Sequence, residues 1–246
     1  MKRPSRSVKV TARWALYLVI VLLGAFGAFQ MMRSRSFMLF GKIVSRVETD
    51  EKVVALTFDD GPTDKTPEVL AVLDRAGIKA TFFLTGREIE TEPDAAASIV
   101  AAGHQIGNHS YSHQRFVFKS LSFIRDEIER TDALIRQAGF EGEILFRPPY
   151  GKKLVLLPWY LHRTGRTAVT WDVEPDSDPE VVEDSESIIA HVVENVQPGS
   201  IILMHVMYDS RAESLKAIEG IVSALREMGY EFKTVSELME YGSGSR

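Results

Sequence analysis

Five times along this chain a helical pattern ends in glycine and an apolar run follows within a few residues: "DRAGIKATFF", "VAAGHQIGNH", "RQAGFEGEIL", "HRTGRTAVTW" and "REMGYEFKTV". Glycine is favoured just past a helix end because it takes the left-handed conformation without Cβ strain. The runs "VVALTF", "ATFFLT", "TAVTW" and "SIILMH" are nearly continuously apolar, as strands covered on both faces are. Strand, helix, glycine, strand, repeated about seven times, restricts the chain to a parallel α/β fold. The spacing predicts a closed or partly open (β/α) barrel of about seven parallel strands, with an open doubly wound sheet as the alternative. No glycine-rich phosphate loop follows the first strand, which disfavours the alternative. The 246 residues, 45% of them hydrophobic, are enough to bury one full core.

Ahead of this rhythm, "WALYLVIVLLGAFGAFQMM", Trp14 to Met32, is 19 residues without a charge. At about 1.5 Å per helical residue it reaches roughly the 30 Å of a bilayer core. Lys2, Arg3, Arg6, Lys9 and Arg13 precede it, which places residues 1–13 in the cytoplasm and sends the C-terminal part outward. Arg33, Arg35, Lys42 and Arg46 on the far side weigh against that orientation. The pattern predicts a basic cytoplasmic N-terminus over 1–13, a transmembrane signal-anchor over 14–32, a linker over 33–49, one domain over 50–240 and a frayed tail over 241–246. A signal peptide cleaved near Ala25 and Gly27 predicts the same export with release from the membrane. A buried core helix is the poorer reading, because both flanks are basic.

The first 46 residues hold nine Lys or Arg and no acid, leaving 20 basic against 34 acidic residues in the remainder, a net charge of −14. An acidic exported domain is a poor nucleic-acid binder, so no nucleic-acid partner is expected. There is no cysteine, which excludes disulfides and thiol catalysis but does not locate the protein. The oligomeric state is not assigned by any of these features.

Sites in parallel α/β folds collect at the C-terminal ends of strands. Asp59 and Asp60 end the first strand, and His109 and His113 of "NHSYSH" follow "QIGNH". Arg147 and Tyr150 of "FRPPYG" follow "EILF"; Asp172, Glu174, Asp176 and Asp178 follow "TAVTW"; His205 ends "SIILMH". A solvated turn explains one Asp-Gly-Pro sequence, but not five polar clusters on one rim. Two His with three residues between them converge on one ion, and a carboxylate from a neighbouring strand end completes a zinc site with an open position. Adjacent Asp residues on extended backbone point apart, so one can ligate while the other takes a proton.

His205 is the candidate acid for the leaving group, and Arg147 can pair the base and keep it ionised. His104, His162 and His191 lie in or beside helical patterns and read as structural. Trp159 and Tyr160 read as packing residues of a helix starting near Pro158, with a sugar-lining role as the alternative. A serine hydrolase has no support, because there is no G-x-S-x-G elbow.

"TFDDGP", "HSYSH", "RPPYG" and "IILMH" resemble four of the five motifs of the polysaccharide deacetylases, carbohydrate esterase family 4, across about residues 50–240. The resemblance implies a distorted β/α barrel and a hydrolase that removes acetyl groups from polymers of N-acetylglucosamine or N-acetylmuramic acid, or from acetylated xylan. It further implies that Asp59 is the general base and that Asp60, His109 and His113 bind one divalent metal ion, usually zinc. By the same resemblance His205 is the general acid, Arg147 orients Asp59, and the Tyr150 backbone N–H helps hold the oxyanion.

The fourth motif departs from the family. "WDVEPDSDPE" lacks the Asp-then-Trp of many members, so Asp176 or Asp178 is left to orient His205, with Asp172 and Glu174 also open. The expected substrate is an acetylated amino-sugar polymer, from peptidoglycan or a chitin-like secreted polysaccharide, because an exported domain meets those. One competing reading is a membrane-anchored glycan-binding protein on an inactive deacetylase fold. The altered fourth motif admits it; the intact Asp59 and His205 oppose it. The other, a Mg²⁺ site for phosphoryl chemistry, is opposed by the histidine pair, since imidazole prefers softer metals.

Overall fold

The computed structural model describes residues 6–242, the side chains of 6–12 excepted. Expectations that rest on Lys2, Arg3, Arg6 and Lys9, and on tail residues 243–246, fall outside what is described. The first element, α1 (Arg6–Arg33), exposes its apolar side chains on every side from Trp14 to Phe29. Among the described residues it is the one helix long and apolar enough to cross a membrane. A helix apolar all round has no polar face for water and suits hydrocarbon.

Beyond α1, short strands and helices alternate. They are β1 (Lys42–Val44), β2 (Val53–Asp59), α2 (Thr66–Ala76), β3 (Thr81–Leu84), α3 (Gly86–Thr91), α4 (Pro93–Ala101), β4 (Gln105–Asn108) and α5 (Leu121–Gln137). Then come α6 (Leu156–Arg163), β5 (Thr167–Val169), α7 (Ser185–Asn195), β6 (Ile201–Met204), α8 (Ala212–Glu227), β7 (Glu231–Phe232) and α9 (Val235–Tyr241). The helix around Trp159 begins two residues ahead of Pro158, at Leu156. The five punctuating glycines, Gly77, Gly103, Gly139, Gly165 and Gly229, have φ between 62° and 93°, a conformation a Cβ would oppose.

Every pairing between these strands is parallel. The sheet runs β4-β3-β2-β6, with β7 against the start of β2, and β1 pairs β5 separately. Single-residue bridges join the two groups: Phe146 links Asn108 of β4 to Ala168 of β5, and Val173 links to Ile202 of β6. The result is a ring held only by isolated bridges between β4 and β6, a distorted and partly open barrel. The "EILF" run contributes only Phe146, through its two bridges, rather than a full strand.

All seven residues of β2 are buried, and alternation sorts them onto two faces. Val54, Leu56 and Phe58 pack with Val69, Leu73, Ile218 and Ile221 of α2 and α8. Val53 and Ala55 face the interior with Phe83, Leu145, Val169, Ile201 and Leu203. Each fully buried side chain of this kind contributes about 1.5–3 kcal/mol. The same parity carries the interior series of β2 through Thr57 to Asp59, and that of β6 through Leu203 to His205. The strand period thus delivers both residues to one mouth of the ring.

The stretch between α1 and the ring is built into the domain. It carries β1, buries Met38, Val44 and Val47, and bonds Val47 N–H to the Gly199 carbonyl at 2.9 Å.

Candidate active site

At the mouth of the ring, Asp59 is 2% exposed and Arg147 is fully buried. Arg147 donates from Nη1 to Asp59 Oδ1 at 2.6 Å and to Thr57 Oγ1 at 2.8 Å, and from Nη2 to the Thr170 carbonyl at 3.0 Å. Its guanidinium lies 3.9 Å from the Phe83 ring centroid. Burial opposes the Asp59 charge, but Arg147, His109 and His205 outweigh it and hold the carboxyl below its usual value. Both Nη atoms of Arg147 are bonded while its buried Nε has no partner among the described residues; the pair matters because an uncompensated buried charge costs several kcal/mol.

Asp60 is turned by its backbone. On an extended strand it would point away from Asp59, but its φ of 67° swings it into the same mouth. His113 and Tyr150 also have left-handed φ, 54° and 58°. With Ser110 of the same loop at 66°, four of the five non-glycine residues with left-handed φ among the described residues, Phe118 being the fifth, lie at this site, in a conformation that only the surrounding structure can impose.

The His109–His113 loop is braced from behind by Glu127 of α5, a residue the sequence did not single out. Glu127 accepts from the Tyr111 and Ser112 N–H groups at 3.1 and 2.8 Å and from Ser112 Oγ at 2.7 Å. Asn108 Oδ1 accepts from Ser110 N at 2.8 Å.

Asp60, His109 and His113 offer ligand atoms that all lie within 4.8 Å of one another. The donor set fits a divalent ion. His109 Nδ1 donates to the Arg147 carbonyl at 2.8 Å, which leaves the Nε2 lone pair free. Burial and then His109 push the His113 pKa down, toward the neutral imidazole that a metal needs. Two imidazoles and a carboxylate are a common zinc donor set.

On the opposite side His205 Nδ1 lies 2.8 Å from Asp176 Oδ2, which also accepts the His205 backbone N–H at 2.6 Å. Burial lowers the His205 pKa, but the Asp176 hydrogen bond and the Asp59, Asp176 and Asp60 charges more than offset it, and the net shift is upward. Asp178 does not reach His205; its Oδ1 accepts from Glu180 N at 3.0 Å. Asp172 instead ties Ser200 Oγ and Ile201 N, at 2.7 and 2.8 Å. Glu174 accepts from Trp171 Nε1 at 2.7 Å.

Trp171 was missed. It lines the cavity from just beyond β5, and it shares parity and the interior cluster with Val169 two residues earlier, which is the sequence signal that points it inward. Trp159 and Tyr160 lie on α6 and are not among the cavity residues. His104 is structural: its Nδ1 accepts from Ala80 N at 3.1 Å, and burial pushes its pKa down to about 4.

These groups surround one cavity of about 600 Å³, lined by Asp59, Asp60, His109, His113, Tyr150, Trp171 and His205 among others. The Tyr150 N–H, at its edge, has no acceptor among the described residues. A paired carboxylate, a three-ligand cluster, a raised histidine and a free N–H around one space form a site for metal-assisted hydrolysis of an acyl group.

Comparison with known proteins agrees. Residues 46–169 match the family model for polysaccharide deacetylase. Over 206 residues the chain is 34% identical to a peptidoglycan-N-acetylglucosamine deacetylase of Bacillus cereus, covering 82% of this chain and 94% of that one. Over 194 residues it is 30% identical to the peptidoglycan-N-acetylmuramic acid deacetylase PdaA of Bacillus subtilis, covering 78% of this chain and 73% of that one. The solved Bc1960 peptidoglycan N-acetylglucosamine deacetylase superposes with a TM-score of 0.75 at 32% identity, covering 80% of this chain and 92% of that one. The chain belongs to the polysaccharide deacetylase family. Its activity is that of the family, metal-dependent hydrolytic removal of N-acetyl groups from amino-sugar polymers.

Proposed function

We propose that this protein deacetylates peptidoglycan outside the cytoplasm, held to the membrane by residues 14–32, with zinc as its ion and Asp59 and His205 as its base and acid. Asp60, His109 and His113 would hold the ion, which when bound supplies Lewis acidity toward water and carbonyl oxygen.

Asp59 is the base: its Oδ1 is held by Arg147, and its depressed pKa keeps it ionised and ready for the proton of the attacking water. Such positioned proton transfer is worth about 10²–10⁴-fold. The Tyr150 N–H donates to the oxygen that becomes negative when the acetamide carbonyl is attacked. His205, kept protonated by Asp176, delivers its proton to the departing amine. Acetate and a free amino sugar are the products. The observation that carries this reading is the Asp59–Arg147 pair facing the Asp60, His109 and His113 cluster across 3.5 Å, from Asp59 Oδ2 to His109 Nε2.

Peptidoglycan is favoured by the names of the relatives and by the outward address that α1 implies. The test is acetate release by the full chain in lipid nanodiscs, with peptidoglycan and N-acetylglucosamine oligomers as substrates. Release that a chelator stops and zinc restores supports the proposal. Release restored by another divalent ion and not by zinc removes zinc, and release from the oligomers alone removes peptidoglycan.

A further inference from the structure

The catalytic cavity is completed by the segment that leaves α1. Arg33, the last residue of that helix, and Arg35 line the same space as Asp60 and His113. The segment is pinned there. Thr170 Oγ1 donates to the Arg35 carbonyl at 2.5 Å, Lys153, 1% exposed, donates to the Ser34 carbonyl, and Arg35 pairs with Glu174 at 2.5 Å over the Trp171 ring.

Two more cations converge on it. Lys152 lines the cavity beside Tyr150, and Arg115 lies 4.8 Å from the Tyr150 ring centroid, the ring that packs at 4.7 Å on His113. The positive group is therefore one aromatic ring away from the metal cluster. Burial lowers the Lys152 pKa, and Arg33, Arg115 and Arg35 lower it further, so the four charges repel one another. Arg35 has Glu174, but among the described residues no carboxylate pairs with Arg33, Arg115 or Lys152. Holding like charges together unpaired costs energy that a bound anion offsets. Residues 33–246 hold 24 basic against 34 acidic residues, a net charge of −10, so a cluster of cations at the cavity is a local feature and not a reflection of composition.

We propose that Arg33, Arg115 and Lys152 form a subsite for an oxyanion, carboxylate or phosphate, borne by the acetylated polymer, and that the segment following the membrane helix is part of it. The inference rests on the deacetylase reading above. It makes the preferred substrate an anionic amino-sugar polymer and the anchor a contributor to recognition. It also brings the reaction to the bilayer surface, since Arg33 is both the end of α1 and a wall of the cavity.

The test uses the full chain in nanodiscs of neutral lipid, with kcat and KM measured by acetate release. Its substrates are glycan strands with carboxyls free, the same strands with carboxyls converted to neutral amides, strands with and without phosphate esters, and neutral N-acetylglucosamine oligomers. Neutralising the decisive group is expected to lower kcat/KM about tenfold, mainly through KM. The preference is expected to collapse in Arg33→Gln and Lys152→Gln and to return in Arg33→Lys and Lys152→Arg. A drop on amide formation assigns a carboxylate; a drop only on phosphate removal assigns a phosphate. Equal kcat/KM for all polymers overturns the subsite, as does a preference that survives both Gln variants, which would leave Arg33 as an interfacial anchor alone. No acetate from any polymer, the neutral oligomers included, removes the deacetylase reading and the subsite with it.

Discussion

The two walls of the cavity are made in opposite ways. One consists of residues at strand ends, Asp59, His109 and Arg147, whose side chains are 3% exposed or less and bonded to one another or to the adjoining backbone. The other consists of Arg33, Arg35, Lys152 and Trp171, from a helix end and loops, where the Arg35 side chain is 43% exposed. The first wall has almost no freedom, because all its buried polar atoms but Arg147 Nε are held by partners in the chain. The second rests on a buried Trp171, 5% exposed, but reaches water at Arg35, where an exposed charge can be exchanged at little cost. The proposed base and its Arg147 partner sit on the wall that cannot change, and the recognition proposed above sits on the wall that can.

The largest expected effect is on the first wall. Asp59→Asn should lower kcat about 10²–10⁴-fold, while the Asn carbonyl still accepts from Arg147 and the protein folds with its metal affinity nearly intact. Acetate release together with metal titration checks this, and near-normal turnover would remove Asp59 from the base role. Next, Arg147→Met should cost about 3–5 kcal/mol of stability by leaving Asp59 buried and unpaired, measured by denaturant unfolding. It should also move the acid limb of the kcat/KM profile to higher pH, because the Asp59 pKa is no longer held down. In the native protein that depressed pKa contributes stability that is present above about pH 4 and lost as pH falls through the folded value.

Asp176→Asn should lower the His205 pKa, since Asp176 helps to raise it. The alkaline limb of the kcat profile then moves to lower pH, with kcat about tenfold down; an unmoved limb would show that His205 is not the titrating acid.

His104 lies outside both walls and is the control for stability without catalysis. Its folded pKa of about 4 lies below the ordinary 6.5. Its contribution is therefore complete above pH 6.5 and is lost as pH falls toward 4, by about 2 kcal/mol at pH 5. His104→Gln should flatten the pH dependence of unfolding over that range and leave the kcat profile in place. The smallest effect belongs to the second wall: Glu174→Gln, which removes the charge paired with Arg35 while the amide oxygen can still accept from Trp171, should change KM a few-fold, the size of a partly exposed pair. A loss of kcat as large as that of Asp59→Asn would erase the distinction between the walls.

Much of the first wall was legible because strands carry their information locally. Parity along β2 and β6 predicts where Asp59 and His205 face, and the glycine stops mark where helices yield to strands. The left-handed φ of Asp60, His113 and Tyr150 was not legible, since none is a residue type that advertises it as glycine does. Glu127, 15 and 16 residues from the loop it braces, was hidden among the other charges of a polar helix. The choice of Asp176 over Asp178 turned on a single 3-10 turn at Pro175–Ser177, which aims one carboxylate at His205 and the other at Glu180.

Local pattern alone carried the parallel α/β plan, the apolar helix at its head and the candidate metal ligands His109 and His113 with one of the two adjacent Asp residues, because periodicity, glycine placement and motif spacing act over a few residues. Only the tertiary structure decided that the ring is thin between β4 and β6, that Asp60 turns back into the mouth, and that Arg33 and Arg35 belong to the cavity. Those features depend on which distant segments satisfy one another's buried polar groups, such as Thr170 Oγ1 on the Arg35 carbonyl across 135 positions, and no local pattern encodes such a meeting.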